Sequence, residues 1–455
     1  MAQFDLVILG GGSGGYACAL RSAQLGLSVA LIEADKVGGT CLHKGCIPTK
    51  ALLHTAEIAD GARESARFGV KSTFEGIDMA GVNSYKDGVV SRLHKGLEGL
   101  IKSRNITYIQ GHGKLVSKDT IEVNGESYTG KNIVLATGSF AKTLPGLEID
   151  GAQIITSDHG TKMDYLPKSV IVLGGGVIGC EFASLWKSFG AQVTIIEGLP
   201  HLIALEDESS SKQLERAFRK RGINFELGSF FKSVSKTQDS VTVTLEDGKT
   251  FTAEILMVAV GRGPVSANLG YEEAGITMER GYVLVDNKCR TNIAGIWAVG
   301  DLIPTLQLAH VGFAEGMLVA EEIAGLNPRP INYDGIPRIT YSDPEVASVG
   351  LTTAQAKKRG HDIVELTYDL AGNGKAQILN TSGSIKLIAE RDGPILGVHM
   401  VGARVGELLA EAELIFNWEA RAVDVASLIH AHPTLSEAMG EAHMALAGKP
   451  LHAHG

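Results

Sequence analysis

Two cysteines, Cys41 and Cys46, stand with four residues between them in the run Gly38-Gly39-Thr40-Cys41-Leu42-His43-Lys44-Gly45-Cys46-Ile47-Pro48-Thr49-Lys50. Thiols at that spacing can close a small ring if the intervening backbone turns, and the glycines permit such a turn. A buried, inert pair and half of a metal site are the other readings. A metal site calls for Cys-x-x-Cys pairs or histidines at ligand spacing, and no second pair occurs, so no metal is expected. A redox-active disulfide is the sharper expectation. Cys18, Cys180 and Cys289 lie in helix-like or strand-like runs and suit core packing. Far downstream stands Ile429-His430-Ala431-His432-Pro433-Thr434-Leu435-Ser436-Glu437. Thr434-x-x-Glu437 is a capping box, which gives Glu437 an ordinary task at the start of the last helix, and His432 reads most simply as a surface histidine.

These residues are embedded in a repeated pattern. Residues 4–15 form a buried strand running into Gly10-x-Gly12-x-x-Gly15; a helix to about Leu25 and the strand Ser28–Ile32 follow, ending in Glu33. Such glycines allow a tight turn and close approach of a pyrophosphate to a helix N-terminus, while the acid bonds a ribose. The pattern recurs as Ser169–Leu173, Gly174-x-Gly176-x-x-Gly179, Cys180-Glu181, a helix to about Phe189, and Gln192–Ile196 ending in Glu197. The chain therefore carries two dinucleotide units. Glu197 suits a free 2′-hydroxyl and would repel a 2′-phosphate; no arginine follows in Gly198-Leu199-Pro200-His201, which favours NAD over NADP.

Helices are predicted over 50–66 and 86–103, short strands near 107–110 and 114–116, and meander strands between 225 and 260. A strand that stops at Thr137-Gly138-Ser139 lets backbone come close to a cofactor, or is an ordinary strand end; further strand-like runs end at Val260-Gly261 and Val299-Gly300-Asp301. Asp301 suits a polyol or ribose hydroxyl, or else an N-cap. The segment Gln307-Leu308-Ala309-His310 starts a helix reaching about Ile323. After Pro328-Arg329-Pro330 the texture changes, with strands near 336–341, 385–389 and 395–400 and helices near 353–359, 404–419 and 435–446. His452 and His454 read as a frayed tail.

Composition limits the partners. At 455 residues the chain is too long for one core, and a charge of −9 argues against nucleic acid. No apolar run approaches a membrane span, and the first residues enter a strand without a signal-peptide pattern, so a cytoplasmic protein is expected. There a cysteine pair is more naturally catalytic than structural.

Together the pieces resemble the pyridine nucleotide–disulfide oxidoreductases over essentially the whole chain. Gly39–Lys50 looks like that family's redox motif, and His432-Pro433-Thr434-Leu435-Ser436-Glu437 looks like its acid–base motif. The resemblance implies an α/β fold with two Rossmann-like dinucleotide-binding domains, one for FAD and one for NAD, and a C-terminal α+β dimerisation domain. Its boundaries would be 1–143 and 270–335 for FAD, 144–269 for NAD, and 336–455 for dimerisation. Gly10, Gly12, Gly15 and Glu33 would hold the ADP part of FAD. Thr40, Lys50, Gly113 and Asp301 would lie along the flavin, with Thr137, Gly138, Ser139 and Ala309 also on the cofactor. Gly174, Gly176, Gly179, Glu197 and Gly261 would hold NAD, and Glu181 would pair with Lys50 near the nicotinamide.

The same resemblance makes Cys46 the thiol against the flavin and Cys41 the one that exchanges with substrate. His432, oriented by Glu437, would be a base acting on the disulfide of the other subunit of a homodimer. A thiolate, not a thiol, attacks a disulfide, so a base near neutrality is needed, and histidine supplies it. The implied reaction is oxidation of dihydrolipoamide on the lipoyl domains of acyltransferase or glycine-cleavage proteins, with NAD⁺ as acceptor. Between the cysteines, His43-Lys44 replaces the family's frequent Asn-Val; the two are expected to face solvent. An NADPH-dependent reductase of glutathione or mycothiol disulfide is the alternative, disfavoured by Gly179 and Glu197, and a non-catalytic flavin component is a second.

Overall fold

The computed structural model describes residues 2–452. Its first sheet is built on Ala2–Leu9, flanked in parallel by Val29–Glu33 and by Glu126–Leu135; Thr107–Gln110 and Ile296–Ala298 extend it on the two sides. Leu6, Val7, Ile8 and Leu9 are all buried in succession. Burial of every consecutive side chain, rather than alternate ones, marks a parallel strand covered on both faces. The Ser13–Gln24 helix packs on Ala309–Ile323 so closely that a Cβ at Gly316 would lie 2.3 Å from the Gly14 carbonyl oxygen. Glycine at the crossing is what lets the two backbones touch.

The second unit repeats the plan, with Ser169–Leu173 between Gln192–Ile196 and Ile255–Val258 in parallel pairing. A three-stranded antiparallel meander over 231–253 lies across one face, its Val241, Val243 and Leu245 packed on Ile171, Leu173 and Leu256. The two units are joined by crossing chains that pair as Ser139–Ala141 with Arg262–Pro264. The C-terminal sheet is antiparallel, in the order Arg338–Thr340, Glu345–Gly350, Ile395–Gly402, Ser384–Glu390, Ile363–Asp369, and is backed by helices Val405–Asn417 and Glu437–Leu446. No helix among the described residues is long and apolar enough to cross a membrane.

Several elements differ from the sequence expectation. The helix predicted from residue 50 begins at Cys46, and a short helix, Gly39–His43, precedes it, so both cysteines stand on helices. The helix Glu208–Arg221 escaped the pattern because it is almost wholly polar. Its inward stripe is little more than Leu214 and Phe218, and its ends are marked by an Asp207 cap and left-handed Gly222. Strands Glu345–Gly350 and Ile363–Asp369 also went unread. His452 is no frayed residue: its Nδ1 and backbone N both bond the carboxylate of buried Glu441, while His454 lies outside the described residues.

Candidate active site

The cysteine pair is asymmetric. The neighbouring Cys46, then burial, pushes the Cys41 thiol up. Cys41 beside it, with Lys50 acting against burial, lowers the Cys46 thiol below its ordinary range. Cys46 also opens the Cys46–Glu64 helix, where unpaired N–H groups favour a thiolate. The helix N-terminus and the nearby ammonium both favour the thiolate form at Cys46. Lys50 lies one turn further along that helix. Its ammonium bonds both oxygens of Glu181 at 2.8 and 2.9 Å and lies 4.8 Å above the Tyr341 ring. Burial pulls Lys50 down, but Glu181 outweighs it and holds the ammonium above its usual range. Glu181 is itself buried and also accepts from the Tyr341 backbone N. Three segments far apart in sequence thereby fix the cation beside the thiolate. Tyr341 was not singled out in the sequence, which has no local signal for it.

His43 and Lys44 neither touch the thiols nor stand free in solvent. The half-buried His43 ring stacks edge-on to His94 with centroids 4.9 Å apart and bonds the Val37 carbonyl; Lys44 pairs with Asp35 at 3.2 Å. Burial holds His43 below its ordinary value. The expectation of a solvent-facing side chain is corrected for His43, whereas Lys44 stays at the surface in its pair with exposed Asp35. Tyr16, Ile47, Leu93, Leu97 and Phe313 line a largely apolar cavity of about 510 Å³ that opens on Cys41.

The two fingerprints divide their glycines by task. A Cβ at Gly10 would lie 2.1 Å from the Ala136 oxygen and one at Gly15 1.8 Å from the Gly10 oxygen; Gly174 and Gly179 repeat this at 2.3 and 1.9 Å. Those four are glycine because the protein's own backbone fills the space. The middle glycines are different: a Cβ at Gly12 would meet only Gly39 at 4.0 Å, and at Gly176 nothing within 4 Å. No protein contact accounts for glycine there, whereas a phosphate seated on the turn would. The acids are held alike. Glu33 accepts from Gly11 N at 2.6 Å and Asp35 N at 2.8 Å, and Glu197 from Gly175 N at 2.5 Å and Leu199 N at 2.7 Å. Each carboxylate keeps lone pairs for ribose hydroxyls. The residues fit two dinucleotides.

Asp301 accepts from Ser139 Oγ at 2.5 Å, and Arg262 donates to the Ser139 hydroxyl and carbonyl. The Asp301 turn is tied down by Glu315, which sequence reading missed: this buried carboxylate accepts from Gly300 N at 2.6 Å and from the hydroxyls of Thr305 and Tyr333 at 2.9 Å. Burial pushes it to about 7. Two of the candidate cofactor residues have structural reasons of their own. The Thr137 hydroxyl donates to the Val265 carbonyl, and Gly113 is crowded by Leu9, where a Cβ would lie 2.6 Å from its side chain. Thr40 shares the short helix with Cys41, Gly138 and Gly261 take positive φ at open turns, and Ala309 opens its helix.

His432 Nδ1 lies 2.8 Å from Glu437 Oε1, while Glu437 Oε2 accepts from Thr434 N at 2.8 Å and Thr434 Oγ1 accepts from Glu437 N. Glu437 therefore closes the capping box and orients the imidazole at once. The Thr434 bond, then His432, keep its carboxyl below the usual range. His432 is 77% exposed, next to fully exposed Ile429. None of residues 428–437 lines the cavity at Cys41.

Residues 4–316 match the family model described as pyridine nucleotide-disulphide oxidoreductase, and residues 336–443 match its dimerisation domain. The chain is 42% identical to a dihydrolipoyl dehydrogenase of Bacillus subtilis, covering 99% of both. It is 38% identical to the mitochondrial dihydrolipoyl dehydrogenase of Pisum sativum, covering 98% of this chain and 92% of that one. The crystal structure of LpdA from Mycobacterium tuberculosis superposes with a TM-score of 0.91 at 26% identity, over 98% of this chain and 100% of that one.

Proposed function

The chain belongs to the pyridine nucleotide-disulphide oxidoreductases, and from that premise we propose that it oxidises protein-bound dihydrolipoamide to lipoamide with NAD⁺ as acceptor. It is an enzyme of the dihydrolipoyl dehydrogenase kind, using FAD and NAD, and its dimerisation domain makes it a homodimer. The single observation that carries the active-site assignment is the unequal thiol pair, with Cys46 stabilised as thiolate by Lys50 and Cys41 facing an apolar cavity. An apolar cavity suits the aliphatic arm of a lipoyl group.

In the oxidised enzyme Cys41 and Cys46 form a disulfide. His432 of the partner subunit takes a proton from one substrate thiol, and the resulting thiolate attacks Cys41 Sγ. Cys46 leaves as the thiolate that Lys50 favours. The second substrate thiol attacks the substrate sulfur of the mixed disulfide, its proton passing to the departing Cys41 sulfur. Cyclic lipoamide forms and Cys41 leaves as a thiol, while the first proton stays on His432. Glu437 holds the ring through Nδ1, leaving Nε2 for the proton. FAD, when bound, supplies the passage of that electron pair from the reduced cysteines to NAD⁺. Gly12, Glu33, Lys50 and Asp301 would hold it, and Gly176, Glu181 and Glu197 would hold the nicotinamide nucleotide. The substrate is carried by lipoyl domains of acyltransferase or glycine-cleavage proteins. Three buried free thiols, Cys18, Cys180 and Cys289, suit a reducing cytoplasm.

The test is turnover of dihydrolipoamide with NAD⁺ and with NADP⁺, and of glutathione disulfide with NADH and NADPH. Dihydrolipoamide with NAD⁺ should lead by a wide margin and be abolished in Cys41→Ser. Faster reduction of glutathione disulfide, or a preference for the phosphorylated nucleotide, would overturn the assignment.

A further inference from the structure

Phe230 is out of place for a side chain of its size. Its neighbours Phe225 and Phe231 pack against the cores of the second unit, but Phe230 belongs to neither core and is 58% exposed. Its position is nevertheless fixed. The segment before it runs beside the acid-bearing turn, with Glu197 N bonded to Glu226 O, Gly228 N to Leu199 O, and Ser229 N to Glu197 O. The Phe230 carbonyl accepts from Glu246 N. The ring edge covers Gly198, the residue directly after Glu197: a Cβ there would lie 3.0 Å from the ring. Gly198 is thus matched to the aromatic above it. Beside it, Leu199 is 51% exposed, although its backbone N is committed to Glu197.

This arrangement gives a direction to any nucleotide bound at the turn. The pyrophosphate belongs at the open Gly176 position and the ribose at Glu197. The base attached to that ribose then lies on the far side of the acid from the glycines, where Phe230 and Leu199 stand exposed. A flat base on an aromatic ring gains stacking energy without needing hydrogen bonds.

We propose that Phe230 is the stacking surface for the adenine of the nicotinamide nucleotide, with Leu199 as the second apolar contact. This rests on the second unit binding NAD. The role is one of binding: it favours nucleotides that carry a purine next to the Glu197 ribose.

The test is calorimetric titration of the FAD-loaded enzyme with ADP-ribose and, separately, with nicotinamide mononucleotide, which lacks the adenine. Phe230→Ala should weaken ADP-ribose on the order of tenfold, leave nicotinamide mononucleotide affinity within about twofold, and melt as the wild type does. Phe230→Trp should restore ADP-ribose affinity. Unchanged ADP-ribose binding in Phe230→Ala overturns the stacking role while leaving the second unit's assignment standing. Equal weakening of both ligands overturns it too, as general damage to the turn. Failure of the wild type to bind ADP-ribose at all overturns both assignments together.

Discussion

A thiol does not announce its reactivity by its residue type. Cys46 differs from Cys41 because it opens a helix and has Lys50 one turn further along that helix. The thiolate absorbance of the reduced protein should therefore titrate with a midpoint below that of a free cysteine. Lys50→Met should move that midpoint upward and leave roughly tenfold less thiolate at neutral pH; an unmoved midpoint would show that Lys50 does not act on Cys46. Glu315 makes a second residue-scale prediction. Burial raises its carboxyl from 4.5 to about 7, so the folded state holds a proton that the unfolded chain has already released. Stability should then fall as pH climbs through that window, by something on the order of 3 kcal/mol in all. Glu315→Gln, which cannot ionise, should melt with a shallower dependence between pH 5 and 7.5, and parallel curves for the two proteins would count against titration at this site.

At the scale of elements, the strand–turn–helix of each dinucleotide unit combines two kinds of glycine that look identical in the motif. Gly15 answers to the Gly10 backbone, whereas Gly12 answers to nothing in the protein within 3.9 Å. Gly15→Ala should therefore fail to fold or lose stability heavily, whether or not a cofactor is supplied. Gly12→Ala should fold and melt like the wild type without cofactor, yet be isolated with little or no FAD, read from its visible absorbance. A fully flavinylated Gly12→Ala would remove the argument that this position is kept open for a phosphate. The redox helix obeys a similar logic. Its early start at Cys46 was hidden by Pro48, which looks like a break but is well tolerated in a first turn, where an N–H has no partner anyway.

For the whole molecule the decisive fact is separation. The cavity at Cys41 contains no residue from the His432 loop, and that loop is largely exposed in the single chain. With a dimerisation domain over 336–443, the missing base is expected from the partner. Co-expression of Cys41→Ser with His432→Gln should then restore activity that neither variant has alone. Each mixed dimer keeps one intact site, giving about a quarter of wild-type turnover on equal random pairing. No recovery would place the base in the same chain as the cysteines.

Much of this was legible without coordinates because it is local. A fingerprint needs only a strand, glycines where backbones cross, and an acid about twenty residues on, and the chain supplies all of these twice over. The Cys41–Cys46 spacing and the Thr434–Glu437 box are equally short-range, so the sequence by itself determined two nucleotide units, a closely spaced cysteine pair, a histidine beside a carboxylate and the α/β architecture. Helix Glu208–Arg221 stayed hidden because a narrow apolar stripe hardly differs from a polar loop. What only the tertiary structure decided is electrostatic and steric. It set that Glu181 and Tyr341 hold Lys50, and which glycines leave room for a ligand. The hold on Lys50 depends on burial and on partners more than a hundred residues away, such as Glu181. No window along the chain contains both.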